Sequence, residues 1–475
     1  MAAWRIRGGL NPARCDNRGM TLPASLLDNL RTIFPGDALD SGDDALRLAA
    51  RDHSRHAHQP DVVVHPATHA QVESLVRACR EHRVPLTARG GGTSSTGASV
   101  PLAGGVVANF QRMDRIVRIA PDDRFAVVEP GVTNEALQRA LAPHGFFWAP
   151  DPGSAPWCTI GGNLACNAGG PRALKYGATR DNVLGLRAVA GTGESFAAGT
   201  HTTKDSTGYD LTRLLIGSEG TLALITEATL KLTPRPAAVR SLRATYRDTA
   251  SAAQAVARIM AQPVTPAALE FMDALALKLA RDHAPDADVP EAGALLLIEV
   301  DGTPETVGFA QHAVARAARG EGLIALDVAA DATENTALWA ARKALSFAQR
   351  AATEHKINED VVVPVSRLPE LVAGAQALAA RHAVPLVCFG HAGNGNLHVN
   401  LLPRDLDEIE RGYAALPELF ALVIALGGTL SGEHGIGVVK RDYLPLALGE
   451  STIALMRSVK AAFDPDGILN PGKVV

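Results

Sequence analysis

Apolar positions recur at two spacings along this chain, and the switches between them outline its elements. "TLPASLLDNLRTIF", just after Met20, carries the helical spacing. "DVVVH" from Asp61 is a short apolar run suited to a buried strand, and "VPLTA" at 84–88 is another. Between them Thr68 and Gln71 form a capping box, and Val72, Leu75, Val76 and Cys79 repeat at helical spacing. The pattern predicts strand, helix, strand, and then at once the glycine-rich "RGGGTSSTG" of residues 89–97. A loop so free of side chains then stands at the carboxyl end of a strand, where open α/β sheets bind ligands. "RIVRIAPDDRFAVVEPG" (115–131) reads as a hairpin turning at Pro121-Asp122-Asp123.

The pattern changes from about Arg240. "LRATYR" is strand-like, 251–261 helical, "AALEFM" and "ALLLIEV" strands, 304–318 helical and "LIALDV" a strand. That order is the split βαβ of a ferredoxin-like unit. Pro234 and Pro236 mark the expected boundary before it. No internal repeat and no low-complexity tract is visible.

Length alone, at 475 residues, implies two domains or one large composite. A hydrophobic share of 47% with 20% charged residues fits a folded globular chain, and a formal net charge of −4 without a basic run argues against nucleic acid. The longest apolar run, Ala294–Val300, is far short of a membrane span. The five cysteines include no C-x-x-C pair, which excludes the usual iron–sulfur and zinc-ribbon spacings and suits a reducing compartment. Residues 1–19 hold four arginines and no apolar core of a signal peptide, and read as an extension or a misplaced start. Two motif matches are decoys. "GILNPGK" has Val474 where a P-loop needs Ser or Thr, and Gly90-Gly91-Gly92 lacks the G-x-G-x-x-G spacing of a classical dinucleotide fold.

Three glycine-rich stretches remain, "RGGGTSSTG", "TIGGNLACNAGG" (159–170) and "GSEGTLALITEATL" (217–230). Consecutive amides without Cβ atoms can converge on a phosphate, and three such loops imply a long anionic ligand anchored at several points. These stretches, with "PDPGSAPWCTIGGNLACNAGGPRALKYGATRDNVLGL", "CFGHAGNGNLHVN", "SGEHGIG" and "FDPDGILNPGK", resemble the vanillyl-alcohol oxidase family, in its branch of FAD-linked 2-hydroxy-acid dehydrogenases. The resemblance spans nearly all of the chain after residue 55. It implies an α+β fold, with a vanillyl-alcohol-oxidase-type (PCMH-like) FAD-binding domain over 55–237 and a ferredoxin-like substrate domain over 238–430. Residues 1–54 would lead in, and 431–475 would return to the FAD domain. By the same resemblance Arg89, Gly90, Gly91, Gly92, Thr93, Ser94 and Gly97 wrap the pyrophosphate. Pro150, Asp151, Ser154, Gly161, Gly162, Asn163 and Gly169 line the flavin, and Ile225 and Glu227 complete the adenine and ribose side. Thr93 stands where some relatives carry a flavin-linking histidine, so the FAD is expected to be non-covalent.

In "GHAGNGNLHVN", His391 precedes a glycine turn and His398 opens a strand, with Asn400 two residues on and on the same face. A lone histidine is more often a core residue. Two of them with Glu433 make an N, N, O set suited to a catalytic divalent ion such as zinc or manganese. Neighbouring side chains on a tight turn diverge, so Glu433 can face the metal and His434 the substrate. The family resemblance assigns the same roles, with His434 as general base. It also implies that Arg342, Ser346 and Asn400 hold the substrate carboxylate. Relatives acting on 2-hydroxyglutarate add a lysine near this region; here Asn358 stands at the nearest position and Lys356 two residues earlier.

The expected reaction is oxidation of a D-2-hydroxy acid to the 2-oxo acid, D-lactate being favoured over glycolate and D-2-hydroxyglutarate. The electrons are expected to leave to an external quinone, cytochrome or electron-transfer flavoprotein. A sugar or alditol oxidase, the ether-lipid synthase branch, and the flavin subunit of a multi-subunit glycolate oxidase-type complex are the alternatives. A homodimer and a cytoplasmic location, at most peripheral to a membrane, complete the expectation.

Overall fold

The structure, a computed structural model, describes residues 22–475 except Ala287 and the side chains of Ala332, Ala341, Lys343 and Ser346. Ser346 as a substrate contact therefore lies outside the described side chains, and the first nineteen residues lie outside the described chain.

The amino-terminal half is built where the apolar spacing predicts. Strand Val62–Val64 leads into helix His69–Glu81, then strand Leu86–Arg89. Thr68 Oγ1 caps the helix by accepting from the Gln71 amide, while the Gln71 side chain reaches back to the amide of Ala67, one residue beyond the capping-box partner. The buried helix positions are Val72, Leu75, Val76, Ala78 and Cys79. Val106–Asn109 lies parallel between Val62–Val64 and Leu86–Arg89 in a four-stranded sheet. The hairpin at 115–131 pairs Ile116–Ala120 with Phe125–Val128 and joins a five-stranded sheet centred on Ala223–Lys231.

After Pro234 the chain enters a seven-stranded sheet that carries the largest apolar core. Its first four strands are Ala238–Tyr246, Ala268–Asp273, Ala294–Gly302 and Leu323–Val328, arranged 4-1-3-2 with antiparallel neighbours, the ferredoxin-like order expected from the sequence. The remaining three strands, Ile357–Val362, Leu386–Gly390 and Asn396–Leu401, run in the order 2-3-1 from the junction outward, with helix Leu368–His382 between the first and second. Phe271 and Met272 pair with Gly390 and Phe389, joining the two units through their second strands.

The sheet thus repeats one topology about that junction, although no internal repeat is visible in the sequence. The two units share topology and little sequence, and helices Ala274–His283 and Ala340–Ala352 interrupt the period, so no self-similarity shows in the letters. The second unit also lacks a fourth strand. After its long helix Leu406–Ala425 the chain comes back beside Val362, where Thr429 makes both backbone bonds of an antiparallel bridge, and then turns inward as Ser431–Gly437. The segment "SGEHGIG" begins where the other unit places its outermost strand.

Candidate functional site

Where the two halves meet, a cavity of ≈ 1380 Å³ opens, above the roughly 300–1,000 Å³ of ordinary small-molecule sites and roomy enough for a cofactor with a substrate beside it. The flavin-half wall is made by the loops after Leu86–Arg89 and around helix Ile160–Cys166. They fit each other only as glycines: a Cβ on Gly90 would stand 2.2 Å from Thr159 Oγ1, and one on Gly91 2.1 Å from the Trp157 carbonyl oxygen. Arg89 bonds the Arg51 carbonyl and so ties the lead-in segment across this loop. Arg89 to Ser94, Asp151, Ser154, Gly161, Gly162, Asn163, Gly169 and Ile225 all line the cavity. Burial pushes the Asp151 carboxyl up, against the pull of Arg172.

Three of the expected cofactor residues do not reach it. Gly97 has φ +80 and packs against Val438, Pro150 offers its carbonyl to Asn134, and Glu227 lies past a bulge that turns it away from Ile225 toward His69. None of the three is part of the cavity wall. A buried latch that the sequence reading overlooked supports it: Asn470 of the dismissed "NPGK" donates to the carbonyls of Ala98 and Glu219, and Lys473 to that of Val100.

On the opposite wall the sheet brings the two histidines together. His398 sits on strand Asn396–Leu401, across from Phe389, and His391 follows Gly390 at the end of the neighbouring strand. Their rings meet edge to face with centroids 5.5 Å apart. Glu433 Oε1 lies 3.4 Å from His391 Nε2 and 3.5 Å from His398 Nε2, and one ligand atom from each residue falls within 4.8 Å of the others. Burial lowers the His398 imidazolium to about 3, leaving a neutral ring with a lone pair. Burial likewise disfavours the His391 cation, but Glu270 and Glu433 outweigh it and hold it up at about 10. Glu270 binds His391 Nδ1 at 2.6 Å, which leaves Nε2 as the atom aimed at Glu433.

Glu270 was missed in the sequence, although a lone acid inside the apolar run "AALEFM" is a signal that a buried partner waits. Its second oxygen takes the Arg342 Nε–H at 2.7 Å. Arg342 lines the cavity with its guanidinium over the Phe389 ring. Asn400, by contrast, does not. It shares the face of His398, as alternation requires, but helix Ala340–Ala352 covers it. It is wholly buried, and its amide donates to Gln349 Oε1 at 2.7 Å. Asn400 thus lies behind the cavity wall, with its amide oxygen buried and without a hydrogen-bond partner among the described residues.

The loop 431–437 is held from both halves. Asp360 Oδ2 accepts from the backbone amides of Gly432, Glu433 and His434 and from Ser431 Oγ. Glu219, a buried residue at φ +53, accepts from the amides of Ile436 and Gly437. Thr96 of the first glycine loop donates to the His434 carbonyl. His434 stacks on His398 at 5.3 Å and lines the cavity with Arg350, Lys356 and Asn358 further along. Among the described residues no helix is long and apolar enough to cross a membrane.

The description "FAD binding domain" matches residues 60–199, and "FAD linked oxidases, C-terminal domain" matches 235–474. Glycolate oxidase subunit GlcD of Bacillus subtilis is 41% identical over 87% of this chain and 89% of its own length. D-lactate dehydrogenase of Anaerostipes hadrus is 36% identical over 88% and 90%, and D-2-hydroxyglutarate dehydrogenase of Stutzerimonas stutzeri 34% over 96% and 99%. In fold the chain is similar to p-cresol methylhydroxylase (TM-score 0.80, 17% identity, 95% of this chain and 96% of that one) and alkyldihydroxyacetonephosphate synthase (TM-score 0.74, 21%, 97% and 87%). With its PCMH-type flavin half and its α+β second half, the chain belongs to the FAD-linked oxidase family and is an FAD-dependent oxidoreductase.

Proposed function

We propose that this protein is a dehydrogenase of D-2-hydroxy acids, D-lactate foremost, that holds FAD non-covalently and a divalent ion, zinc or manganese, at His391, His398 and Glu433. The observation that carries the reading is the convergence of those three ligand atoms within 4.8 Å of each other, on a wall facing the glycine cradle, with His434 and Arg342 beside them. The fit is chemical as well as geometric: one imidazole is neutral, the other is fixed through Nδ1, and the third donor is a carboxylate. Bound FAD supplies the hydride acceptor. An ion held there would supply Lewis acidity toward the substrate hydroxyl and carboxylate.

This chain's own residues do the rest. Arg342, held by Glu270, presents its remaining N–H donors to the substrate carboxylate. His434 removes the hydroxyl proton at Nε2, its Nδ1 being the buried nitrogen. The electrons then pass to an external acceptor such as a quinone, a cytochrome or an electron-transfer flavoprotein. A dicarboxylic substrate is the second reading, favoured by Lys356 and Arg350 in the cavity wall, where burial lowers the Lys356 ammonium to about 8.

The test is anaerobic bleaching of the yellow protein by a panel of D- and L-2-hydroxy acids, with and without a chelator. His434→Ala is expected to keep flavin and metal while slowing bleaching about 10²–10⁴-fold. Glu433→Ala is expected to lose metal and bleaching together. Bleaching by an alditol that ignores the chelator would instead support an oxidase without the ion.

A further inference from the structure

One side chain of the cap sheet makes more polar contacts with the catalytic loop than packing requires. Asp360 is fully buried on strand Ile357–Val362, directly across from His398 in the ladder. Its Oδ1 takes the Asn396 amide at 2.5 Å. Its Oδ2 takes four donors: Ser431 Oγ at 3.1 Å and the amides of Gly432, Glu433 and His434 at 2.9, 2.8 and 3.0 Å. A single oxygen thus fixes the backbone of the residues that carry the ligand Glu433 and the base His434.

The imidazole supplies an independent observation. His434 Nδ1 is buried and lacks a hydrogen-bond partner among the described residues. A nitrogen enclosed in that way is costly unless an acceptor is at hand. Asp360 Oδ2 lies 3.9 Å from it, so a movement of about 1 Å brings the two to hydrogen-bond distance.

We propose that Asp360 is the positioning residue of His434. It holds the loop and, as the Ser431 hydroxyl rotates off Oδ2, accepts the Nδ1–H when the ring settles against substrate, so that Nε2 carries the lone pair aimed at the substrate hydroxyl. A base oriented by a third group through its far nitrogen is the general arrangement for histidine bases, and the tautomer is set by the bond the far nitrogen makes. The proton leaves the hydroxyl oxygen for Nε2, while the proton on Nδ1 stays on the ring, shared with Oδ2. The α-hydrogen would leave with its electron pair to bound FAD, and the hydroxyl-bearing carbon would become the carbonyl of the 2-oxo acid. The inference rests on His434 being the base, as read above.

The experiment uses full-length protein loaded with FAD and zinc. Asp360→Asn is expected to leave flavin and zinc content unchanged and KM within roughly threefold, while substrate-driven flavin reduction slows about 10²–10⁴-fold, the range a misoriented base spans. In a His434→Ala background the same change is expected to cost less than about threefold, because nothing remains to position. Ser431→Ala, which removes one loop donor and leaves the carboxylate, is expected to reduce flavin at nearly the wild-type rate.

A 15N-histidine spectrum of the wild-type protein is expected to show the His434 ring, identified by its absence in His434→Ala, protonated on Nδ1. Protonation on Nε2 alone overturns the proposal. So does an Asp360→Asn rate within about fivefold of wild type, a loss of FAD or zinc in that variant, or an equal loss with His434 already removed. Wild-type protein that no 2-hydroxy acid bleaches would sink the functional reading instead, and the spectrum would still decide the tautomer.

Discussion

Replacing Glu270 with glutamine tests the proposed metal site through a residue outside the cavity lining. The side chain has no exposed surface and divides its oxygens between His391 Nδ1 at 2.6 Å and Arg342 Nε at 2.7 Å. Glutamine keeps the shape but offers one acceptor where two stood, so one of the two N–H groups loses its partner. A buried donor left unmatched costs about 1–3 kcal/mol of stability. The partner of a metal-bound histidine is worth about 10–100-fold in affinity, or roughly 1.4–2.7 kcal/mol.

A second effect runs the other way, since removing the carboxylate also frees His391 of its proton more easily. Burial disfavours that cation, but the two carboxylates hold it up at about 10, so near neutral pH a metal bound there would have to displace a proton. Relief of proton competition therefore masks the loss most at pH 7, and the variant's deficit against wild type is expected to grow toward pH 9, where that competition weakens. Chelator competition on the FAD-loaded protein at the two pH values, with thermal melting alongside, measures both quantities. Unchanged zinc and manganese affinity at both pH values, with only the melting point lowered, would show Glu270 to be a buried counter-ion alone and would refute the ligand role of His391.

Three further outcomes are expected. In the wild-type protein the His391 proton is released on metal binding, so affinity should rise about tenfold per pH unit from 7 toward 10; a flat profile by calorimetry in buffers of different ionisation heat contradicts it. Gly437→Ala places a Cβ 2.1 Å from the Thr96 carbonyl at φ +53, so the loop must leave the first glycine loop, and weaker FAD retention on gel filtration is expected with slower bleaching. Asn400→Ala should lower the melting point through the lost bond to Gln349 while leaving KM within about twofold, which substrate titration checks.

Much of this was legible in the chain before folding. Thr68 and the 72–79 spacing define a helix by local rules, and the turn at Pro121-Asp122-Asp123 defines a hairpin in the same way. His391, His398, Glu433 and His434 stood out because glycines isolate them. What stayed hidden depends on distance along the sequence. Asp360 meets residues 71 to 74 positions later, and Glu219 meets Ile436 217 positions later, which no periodicity encodes. The cover over Asn400 was hidden too, because alternation gives the side of a strand and says nothing of which helix will pack on it.

The segment that bears Glu433 and His434 sits where a twin unit seats an edge strand. A strand there would have spent its amides on the neighbouring ladder. Released from that duty after Thr429, they turn toward two carboxylates that belong to opposite halves of the molecule. The loop that carries the dipeptide is thereby pinned to both halves, so a slip of one against the other would strain the proposed reacting centre.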